Sequence, residues 1–225
     1  MTSDDMPAGG ELPAAGKAKG EKLGLDLLDR VTVRKRARMV AIGGIMVALA
    51  FGAIVGLIGG RWPGVIAGAI VAVPVVLLAL SEARRTVWLE GTTVHVRAFG
   101  TRRVDLAAAD GLDLLVTDLR GARTVGLFVR GGKKAINVAL SMYAGTGGRE
   151  LGIYQLRRLA DALAARGDTP GLVFSELLVA QLRAEARGLA AAERPLYRLG
   201  SLAPAGRMAQ KLHPEAVSKF VTSLD

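Results

Sequence analysis

A long apolar stretch near the N-terminus limits what this chain can fold into more than any other feature. The segment from Gly44 to Leu80 contains a single charged residue, Arg61, which separates two uncharged runs, Met39 to Gly60 and Trp62 to Ser81. At about 1.5 Å per helical residue, each run is long enough to cross the ~30 Å hydrocarbon core of a bilayer. Neither run carries the polar stripe of a soluble amphipathic helix, so each is expected to be apolar all round.

Two other interpretations of this stretch fit it less well. The core helix of a soluble protein rarely needs so many consecutive apolar residues. A cleaved signal peptide has a shorter apolar run, nearer the N-terminus, and no second run after it. We therefore predict transmembrane helices at residues 39–60 and 65–83, joined by a short external turn at residues 61–64.

Basic residues around the two spans predict their orientation. A basic cluster precedes the first span and a basic pair follows the second, whereas the turn holds only Arg61. Because cytoplasmic loops carry the excess of lysine and arginine, both termini are expected in the cytoplasm, in a multi-pass protein of the plasma membrane. The basic residues expected to face anionic lipid at these two places are Arg34, Lys35, Arg36, Arg38, Arg84 and Arg85.

Small residues recur every fourth position along both spans. Such spacing forms a groove in which two helix backbones can approach closely. One interpretation is that the two grooves pack on each other within the chain; the other is that the first groove faces a second protomer or another membrane protein. The residues are Gly44, Ala48, Gly52, Gly56 and Gly60 in the first span and Gly64, Gly68 and Ala72 in the second.

Composition places part of the chain in water and narrows its partners. The 225 residues are 51% hydrophobic, with a mean hydropathy of +0.34, a net charge of +10 and no cysteine. The missing cysteines exclude disulfides, thiolate zinc sites and a cysteine nucleophile. The positive charge favours the anionic inner leaflet, worth about 1 kcal/mol per basic residue near the surface. We expect no nucleic acid partner, because the sequence lacks a helix-turn-helix pattern and basic residues interleaved with aromatics.

The segments that flank the spans are predicted from their composition. Residues 1–22 are rich in Ala, Gly and Pro and are expected to be disordered. Residues 23–38 are expected to form a basic amphipathic juxtamembrane helix. Residues 167–225 are expected to contain an amphipathic helix, Val173 to Arg187, followed by a basic tail that is poorly ordered or folds on a partner.

After Arg85 the period of the apolar residues changes from helical to alternating. Val94, Val96 and Ala98 alternate with more polar neighbours, and similar runs follow around Leu114, Leu127 and Val138. Glycine-bearing turns separate them, so residues 84–166 are predicted to form about six antiparallel strands. A helix in "RELGIYQLRRLADALAARG" would close the domain.

The order of these elements carries a resemblance. A membrane hairpin followed by "RRTVWLEGTTVHVRAFGTRRVDLAAADGLDL" and closed by "RELGIYQLRRLADALAA" resembles actinobacterial two-span membrane proteins with a bacterial pleckstrin-homology-like (PH-like) cytoplasmic domain. The resemblance covers residues 84–165 and the spans. It implies an α+β membrane protein: a transmembrane hairpin, then a small antiparallel PH-like β domain with a capping C-terminal helix, serving in binding or assembly. The family fold has seven strands, one more than the alternation indicates.

Two glycine-bearing turns of the β domain are further candidates for contact with lipid phosphates. The turn "RGGKK" brings Arg130, Lys133 and Lys134 together, and Arg97, Arg102 and Arg103 lie at the turn "FGTRR". In a domain tethered to a bilayer, such clusters can meet the leaflet surface. The alternative is that both are solvated hairpin tips with ordinary surface charges.

The sequence displays no catalytic or cofactor signature. Amides near Thr146, Gly147 and Gly148 would hold an anion if a helix began there, but the loop lacks the Lys-Ser/Thr of a P-loop, and a capping loop is the simpler interpretation. His95 and His213, the two histidines, have no acidic residue at a metal-binding spacing. We expect no metal site, no cofactor and no paired carboxylates of an enzyme.

Three functions remain in view from the sequence. The leading hypothesis is a non-enzymatic membrane protein that presents its cytoplasmic β domain to a partner protein or to anionic lipid. The second is an accessory subunit of a larger membrane complex, docked through the glycine groove of the first span, and homo-oligomerisation through this groove is also open. The third, a membrane-bound enzyme of lipid or envelope precursors, would need a polar cluster that the sequence does not display.

Overall fold

A computed structural model describes residues 21–28, 30–119, 121–145, 147–204 and 208–224. Nearly all of the N-terminal segment predicted to be disordered lies outside the described residues, as do Thr146 of the candidate anion loop and Arg207 of the basic tail. The described chain consists of a long helical hairpin, two antiparallel sheets and a group of C-terminal helices.

The hairpin consists of α1, Arg30–Gly59, and α2, Arg61–Arg84. Both helices are longer than predicted: α1 already includes the basic cluster at Arg34 to Arg38, because Arg and Lys are good helix formers. The predicted turn at residues 61–64 shrinks to Gly60, whose φ of 91° lies in the left-handed region that glycine tolerates. Pro63 fits within the first turn of α2, where its missing N–H costs nothing.

Both hairpin helices are long and apolar enough to cross a membrane by length and composition. They are not the core of a soluble domain, since their large apolar side chains point outward; Leu57 is 89% exposed and Ile58 87%. Exposed apolar patches of this extent are typical of surfaces that contact a membrane or another protein.

Gly52, Gly64 and Gly68 lie where the two backbones of the hairpin meet. A Cβ atom at Gly68 would lie 3.2 Å from the carbonyl oxygen of Ala48, a residue that is itself only 2% exposed. Gly44 faces the side chain of Val75 with no room for a Cβ of its own. The small residues of α1 therefore contact those of α2 within one chain, which is the arrangement expected when close backbone approach replaces side-chain interdigitation.

In the part of the chain that the structure describes, nine strands form two antiparallel sheets. The first sheet has the order β1-β2-β3-β4, and the second has the order β8-β7-β6-β5-β9. Their bounds are Leu23–Gly24 (β1), Thr86–Glu90 (β2), Thr93–Arg97 (β3), Thr101–Asp105 (β4), Gly111–Leu119 (β5), Ala122–Gly131 (β6), Lys134–Ala144 (β7), Gly147–Glu150 (β8) and Gln210–Leu212 (β9).

The first part of the predicted juxtamembrane helix is a strand instead. Leu23 pairs with Leu89, so β1 covers the free edge of β2. The chain stays extended beyond β1: the amide of Leu25 donates to the carbonyl of Val87 at 2.8 Å, and a carboxylate oxygen of Asp26 accepts from the Val87 amide at 2.9 Å. Leu25 is 1% exposed. Pairing with an open sheet edge and burial of Leu25 outweigh the weak helical pattern of this segment.

Among the described residues, seven strands, rather than about six, lie between α2 and the next helix. The additional strand is β8, in which Gly148 pairs with Tyr143. Its sequence, GGRE, has no apolar alternation, so pattern alone cannot find it. Between Val125 and Gly126 of β6 the register skips Leu140, which marks a bulge in β7. Inward side chains from both sheets belong to one hydrophobic core.

Four further α-helices are present among the described residues: α3 (Ile153–Ala164), α4 (Thr169–Ala186), α5 (Pro195–Ser201) and α6 (Pro214–Thr222). A 3-10 turn, Ala191–Glu193, precedes α5. The predicted helix that follows the sheets is present as α3, which buries Leu156, Leu159 and Leu163 at helical spacing.

The C-terminal segment differs from the expectation of a poorly ordered tail. Leu196, Leu199 and Val217 are at most 1% exposed and belong to the same core as the sheets. β9 pairs with β5, which leaves the sheet domain incomplete without residues 210–212. The folded body therefore extends well past residue 166, because helical spacing of a few large apolar residues is enough to dock short helices on a core.

Candidate functional site

A cleft of about 990 Å³ opens where the base of the hairpin meets the two sheets. One side consists of Val33 and Arg34 of α1 together with residues 82–85 at the end of α2; the other consists of β2, the end of β3 and the outer faces of β6 and β7. We call it the base cleft. Its size lies at the upper end of the range of about 300–1,000 Å³ typical of small-molecule sites.

Positive charge predominates in the base cleft. Five basic residues line it, against two acidic ones, Asp26 and Glu82. Among the described residues, the guanidinium groups of Arg34, Arg84 and Arg97 have no hydrogen-bond or ion-pair partner. The fourth, Arg85, donates to the backbone oxygen of Asn137 at 3.4 Å, which ties the end of α2 to β7. The five basic residues are Lys22, Arg34, Arg84, Arg85 and Arg97.

Apolar side chains form the rest of the base cleft. Leu27, Leu28 and Val33 line it beside α1, and Met142 contributes from β7. Phe99, in the turn between β3 and β4, is 62% exposed although it borders the same opening. A basic rim over an apolar lining suits a ligand with an anionic head and an apolar body.

An aromatic stack adjoins the cleft on the outer face of the first sheet. The rings of Trp88 and His95 are parallel within 7°, with centroids 5.1 Å apart, as their register across β2 and β3 requires. The Lys22 ammonium lies 5.9 Å from the Trp88 centroid, within cation–π range. His95 Nε2 lies 3.8 Å from a carboxylate oxygen of Glu90.

Two polar atoms of cleft residues lack partners within the described parts of the chain. They are the indole nitrogen of Trp88, a donor, and Oδ1 of Asn137. A Cβ at Gly126 would meet the Asn137 side chain, so the glycine opposite the bulge makes room for this amide. Buried polar atoms without partners cost about 1–3 kcal/mol each, and a bound polar ligand is one way to satisfy them.

The structure separates the basic residues predicted from sequence into two groups. Arg34, Arg84, Arg85 and Arg97 line the base cleft, whereas the remaining ones are exposed but do not line it. Lys22 was not among the sequence candidates, because β1 and the return of residues 21–28 to the sheet gave no recognisable signal. The residues outside the cleft are Lys35, Arg36, Arg38, Arg102, Arg103, Arg130, Lys133 and Lys134.

The candidate anion loop does not open a helix. Gly147 and Gly148 belong to β8 and pair with Ala144 and Tyr143, and α3 begins only at Ile153. The amides of this loop therefore do not meet the N-terminal dipole of a helix, which the anion hypothesis required.

A second polar group joins the C-terminal segment to the sheet. Asp113, 3% exposed, lies 3.1 Å from Nδ1 of His213 and 3.6 Å from a guanidinium nitrogen of Arg130. The two histidines thus each find a carboxylate, His213 through a contact that spans 100 positions. This contact fixes the segment that carries β9; its exposed imidazole has no nucleophile beside it in the described parts of the chain. No group of three or more metal-ligating side chains occurs among the described residues.

Perturbed pKa values occur away from the cleft. Burial, together with the 2.6 Å hydrogen bond to Glu150, raises the pKa of Tyr143 above its ordinary value. Glu150 also accepts from Arg194 at 2.6 Å. For Asp168, partial desolvation acts to raise the pKa, but the bonds from Arg166 and the Gly171 amide outweigh it and hold the pKa below its usual value. Both groups fasten C-terminal helices to the body.

A shallow apolar groove of about 480 Å³ runs along one face of the hairpin. Its floor consists of the small residues Ala48, Gly52, Gly56, Gly64 and Gly68, whose packing against each other leaves a depression between flanking Ile45, Leu49 and Val65 side chains. We call it the hairpin groove.

Comparisons with protein-family models, with curated proteins and with solved structures give no match for this chain. The hairpin, the base cleft and the hairpin groove are therefore the features that bear on function.

Proposed function

We propose that the chain is a non-enzymatic integral membrane protein that uses its hairpin as an anchor and presents the sheet domain at the cytoplasmic surface of the plasma membrane for binding. The observation that carries the proposal is the position of the base cleft: its basic residues lie where both apolar helices end. In a bilayer, that level coincides with the lipid headgroups.

Two further features support the anchoring. Basic residues are concentrated at the base of the hairpin, at Arg34 to Arg38 near the start of α1 and at Arg84 and Arg85 at the end of α2. The tip of the hairpin carries Arg61 and Trp62, which is 74% exposed. Lysine and arginine are retained on the cytoplasmic side, and tryptophan is favoured at the interface. The sheet domain and both termini then lie in the cytoplasm.

The PH-like assignment of the sheet domain is part of this proposal. Seven strands between α2 and α3, followed by α3 itself, agree with the number of strands and the terminal helix that the resemblance implies. A domain of this kind would act by binding a partner protein or an anionic lipid.

Membrane topology is tested by single-cysteine labelling, since the chain has no cysteine of its own. A membrane-impermeant maleimide on intact cells is expected to label Trp62→Cys at the tip, and to label Glu215→Cys in α6 only after permeabilisation. Extraction of the unmodified chain from membranes by alkaline carbonate, or labelling of both positions in intact cells, would overturn the anchor and its orientation.

An accessory role in a larger membrane complex is the second candidate, and the hairpin groove favours it. Small residues that line an open groove allow another helix to approach closely. A photo-crosslinker at Ala53, which lines the groove, should then give one discrete adduct in native membranes, and Val73 on α2, exposed outside the groove, is the control. Equal adduct patterns from both positions would count against this role.

A further inference from the structure

We propose that the base cleft binds the phosphodiester headgroup of one anionic phospholipid, with Arg34, Arg84 and Arg97 as its charge partners and Trp88 beside it. This inference rests on the proposed membrane anchoring and goes beyond it, because it names a discrete site and a ligand class rather than a general attraction to the leaflet.

The base cleft carries an excess of positive charge. Three guanidinium groups without a partner among the described residues line one opening. Like charges gathered in this way repel each other, and a phosphate relieves the repulsion while accepting the bidentate hydrogen bonds that guanidinium groups offer. Asp26 and Glu82 line the same cleft, and their two charges do not balance the five positive ones.

The second step is that the three arginines come from three separate places in the chain. Arg34 belongs to α1, Arg84 to the last turn of α2 and Arg97 to the end of β3. A bulk electrostatic surface needs only a high density of basic residues, as at Lys133 and Lys134 in the turn between β6 and β7. Convergence of the hairpin and the sheet on one opening instead gives a concave site whose shape can select a ligand.

Shape and polarity of the lining provide the third step. Leu28, Val33 and Phe99 supply apolar surface at the level where an acyl chain leaves its headgroup. The unpartnered donor of Trp88 and the unpartnered oxygen of Asn137 belong to residues of the same lining. Both atoms are buried, so the headgroup is held by the arginines, and Trp88 lies beside it as a neighbour rather than as a hydrogen-bond donor.

Trp88 also provides the readout, because the chain has two tryptophans and the other, Trp62, lies at the tip of the hairpin. In a Trp62→Phe background, the full chain is reconstituted into vesicles of phosphatidylcholine that contain increasing fractions of brominated phosphatidylglycerol. Trp88 emission is expected to be quenched with saturation at a low fraction of the brominated lipid, and at least several-fold less by equal fractions of brominated phosphatidylcholine.

Matched variants separate the site from general charge. Arg34→Gln with Arg97→Gln should abolish the selective quenching, whereas Lys133→Gln with Lys134→Gln, which removes the same charge outside the cleft, should leave it unchanged. Circular dichroism of both pairs verifies that they are folded. Equal quenching by both brominated lipids, or equal loss in both pairs, would overturn the headgroup site.

Two outcomes separate the headgroup site from simple membrane anchoring and from the binding of a soluble ligand. A chain that inserts with the expected topology but shows no lipid selectivity leaves the anchor intact and overturns the site. If glycerol 1-phosphate in solution prevents the quenching at low concentration, the site binds a free phosphomonoester rather than the lipid, and the lipid assignment is overturned.

Discussion

Gly52 and Gly64 touch through their backbones: a Cβ atom at Gly64 would lie 2.6 Å from the carbonyl oxygen of Gly52, and one at Gly52 would lie 2.9 Å from that of Gly64. Neither neighbour is the flexible end of a side chain, so neither can yield without a shift of a whole helix. The close approach of α1 and α2 therefore depends on these two positions more than on the remaining small residues; Gly56, for comparison, leaves 3.7 Å to its nearest neighbour.

Replacement of Gly64 by alanine should loosen the hairpin. The added methyl group must push the helices apart, at a cost on the order of 1–3 kcal/mol for overpacking. Thermal unfolding of the full chain in detergent should show a lower Tm. Gly43→Ala is the control: it lies in the same hairpin, has no neighbour within 4 Å and should be neutral or slightly stabilising. Equal Tm values for the two variants would contradict the close contact.

Asp168 is expected to stabilise the start of α4 in two separable ways. Its Oδ1 caps the helix by accepting from the Gly171 amide at 2.9 Å, and its Oδ2 faces Nε of Arg166 at 2.5 Å. Asp168→Ala removes both and should cost about 1 kcal/mol, as loss of an N-cap typically does. Asp168→Asn preserves the cap and should lose only a part of this. If the Asn and Ala variants lose the same stability, the ion pair and not the cap would be responsible.

The same residue predicts a pH dependence. Because its folded pKa lies below the ordinary value, Asp168 contributes stability that is present above the unfolded pKa of about 3.9 and is lost as the pH falls through the folded pKa. Tm measured against pH should therefore fall less steeply below about pH 4 in Asp168→Asn than in the unmodified chain. Parallel curves would show that this carboxylate does not contribute.

Helices and strands with strong local sequence patterns were predicted, whereas those without such patterns were missed. The hairpin has two long uncharged apolar runs and α3 has apolar residues at helical spacing, so both were foreseeable. The bounds of α1 were not, since helix propensity continues through the basic cluster. β1 and β9 have two and three residues and exist only because the open edges of β2 and β5 accept them. No local pattern encodes such pairing.

For the candidate site, some residues were predictable from the sequence, but their convergence in space was not. Arg34, Arg84 and Arg85 were predicted as lipid-facing because they flank apolar runs, a property of the sequence alone. Their convergence with Lys22 and Arg97 on one cleft depends on how the hairpin meets the sheets, and His213 meets Asp113 only through the C-terminal segment. Long-range contacts of this kind leave no trace in a single sequence.

Glu150 should couple β8 to α5 through two partners. It accepts from the Tyr143 hydroxyl and from Arg194, each at 2.6 Å, and its side chain is only 10% exposed. Glu150→Ala leaves the partly buried Arg194 unpaired and is expected to cost about 3 kcal/mol, whereas Tyr143→Phe, which removes one hydroxyl, should cost about 1 kcal/mol. Denaturant midpoints for these two variants and the double variant give the coupling; strict additivity would contradict a shared network.

Docking of α5 on the core can be tested with a variant and a control from the same short segment. Leu199 is 1% exposed and belongs to the core, whereas Leu202, the cap residue that follows α5, is 63% exposed. Leu199→Ala should cost about 2–5 kcal/mol through lost burial and the cavity left behind. Leu202→Ala should change the free energy of unfolding by no more than about 0.5 kcal/mol.

Hydrogen exchange adds a second readout, since amides of β5 that pair with β9 should lose protection in Leu199→Ala if the C-terminal helices and β9 unfold as one unit. Equal effects of the two substitutions would mean that α5 is not docked on the core, and the extension of the folded body past residue 166 would then be wrong.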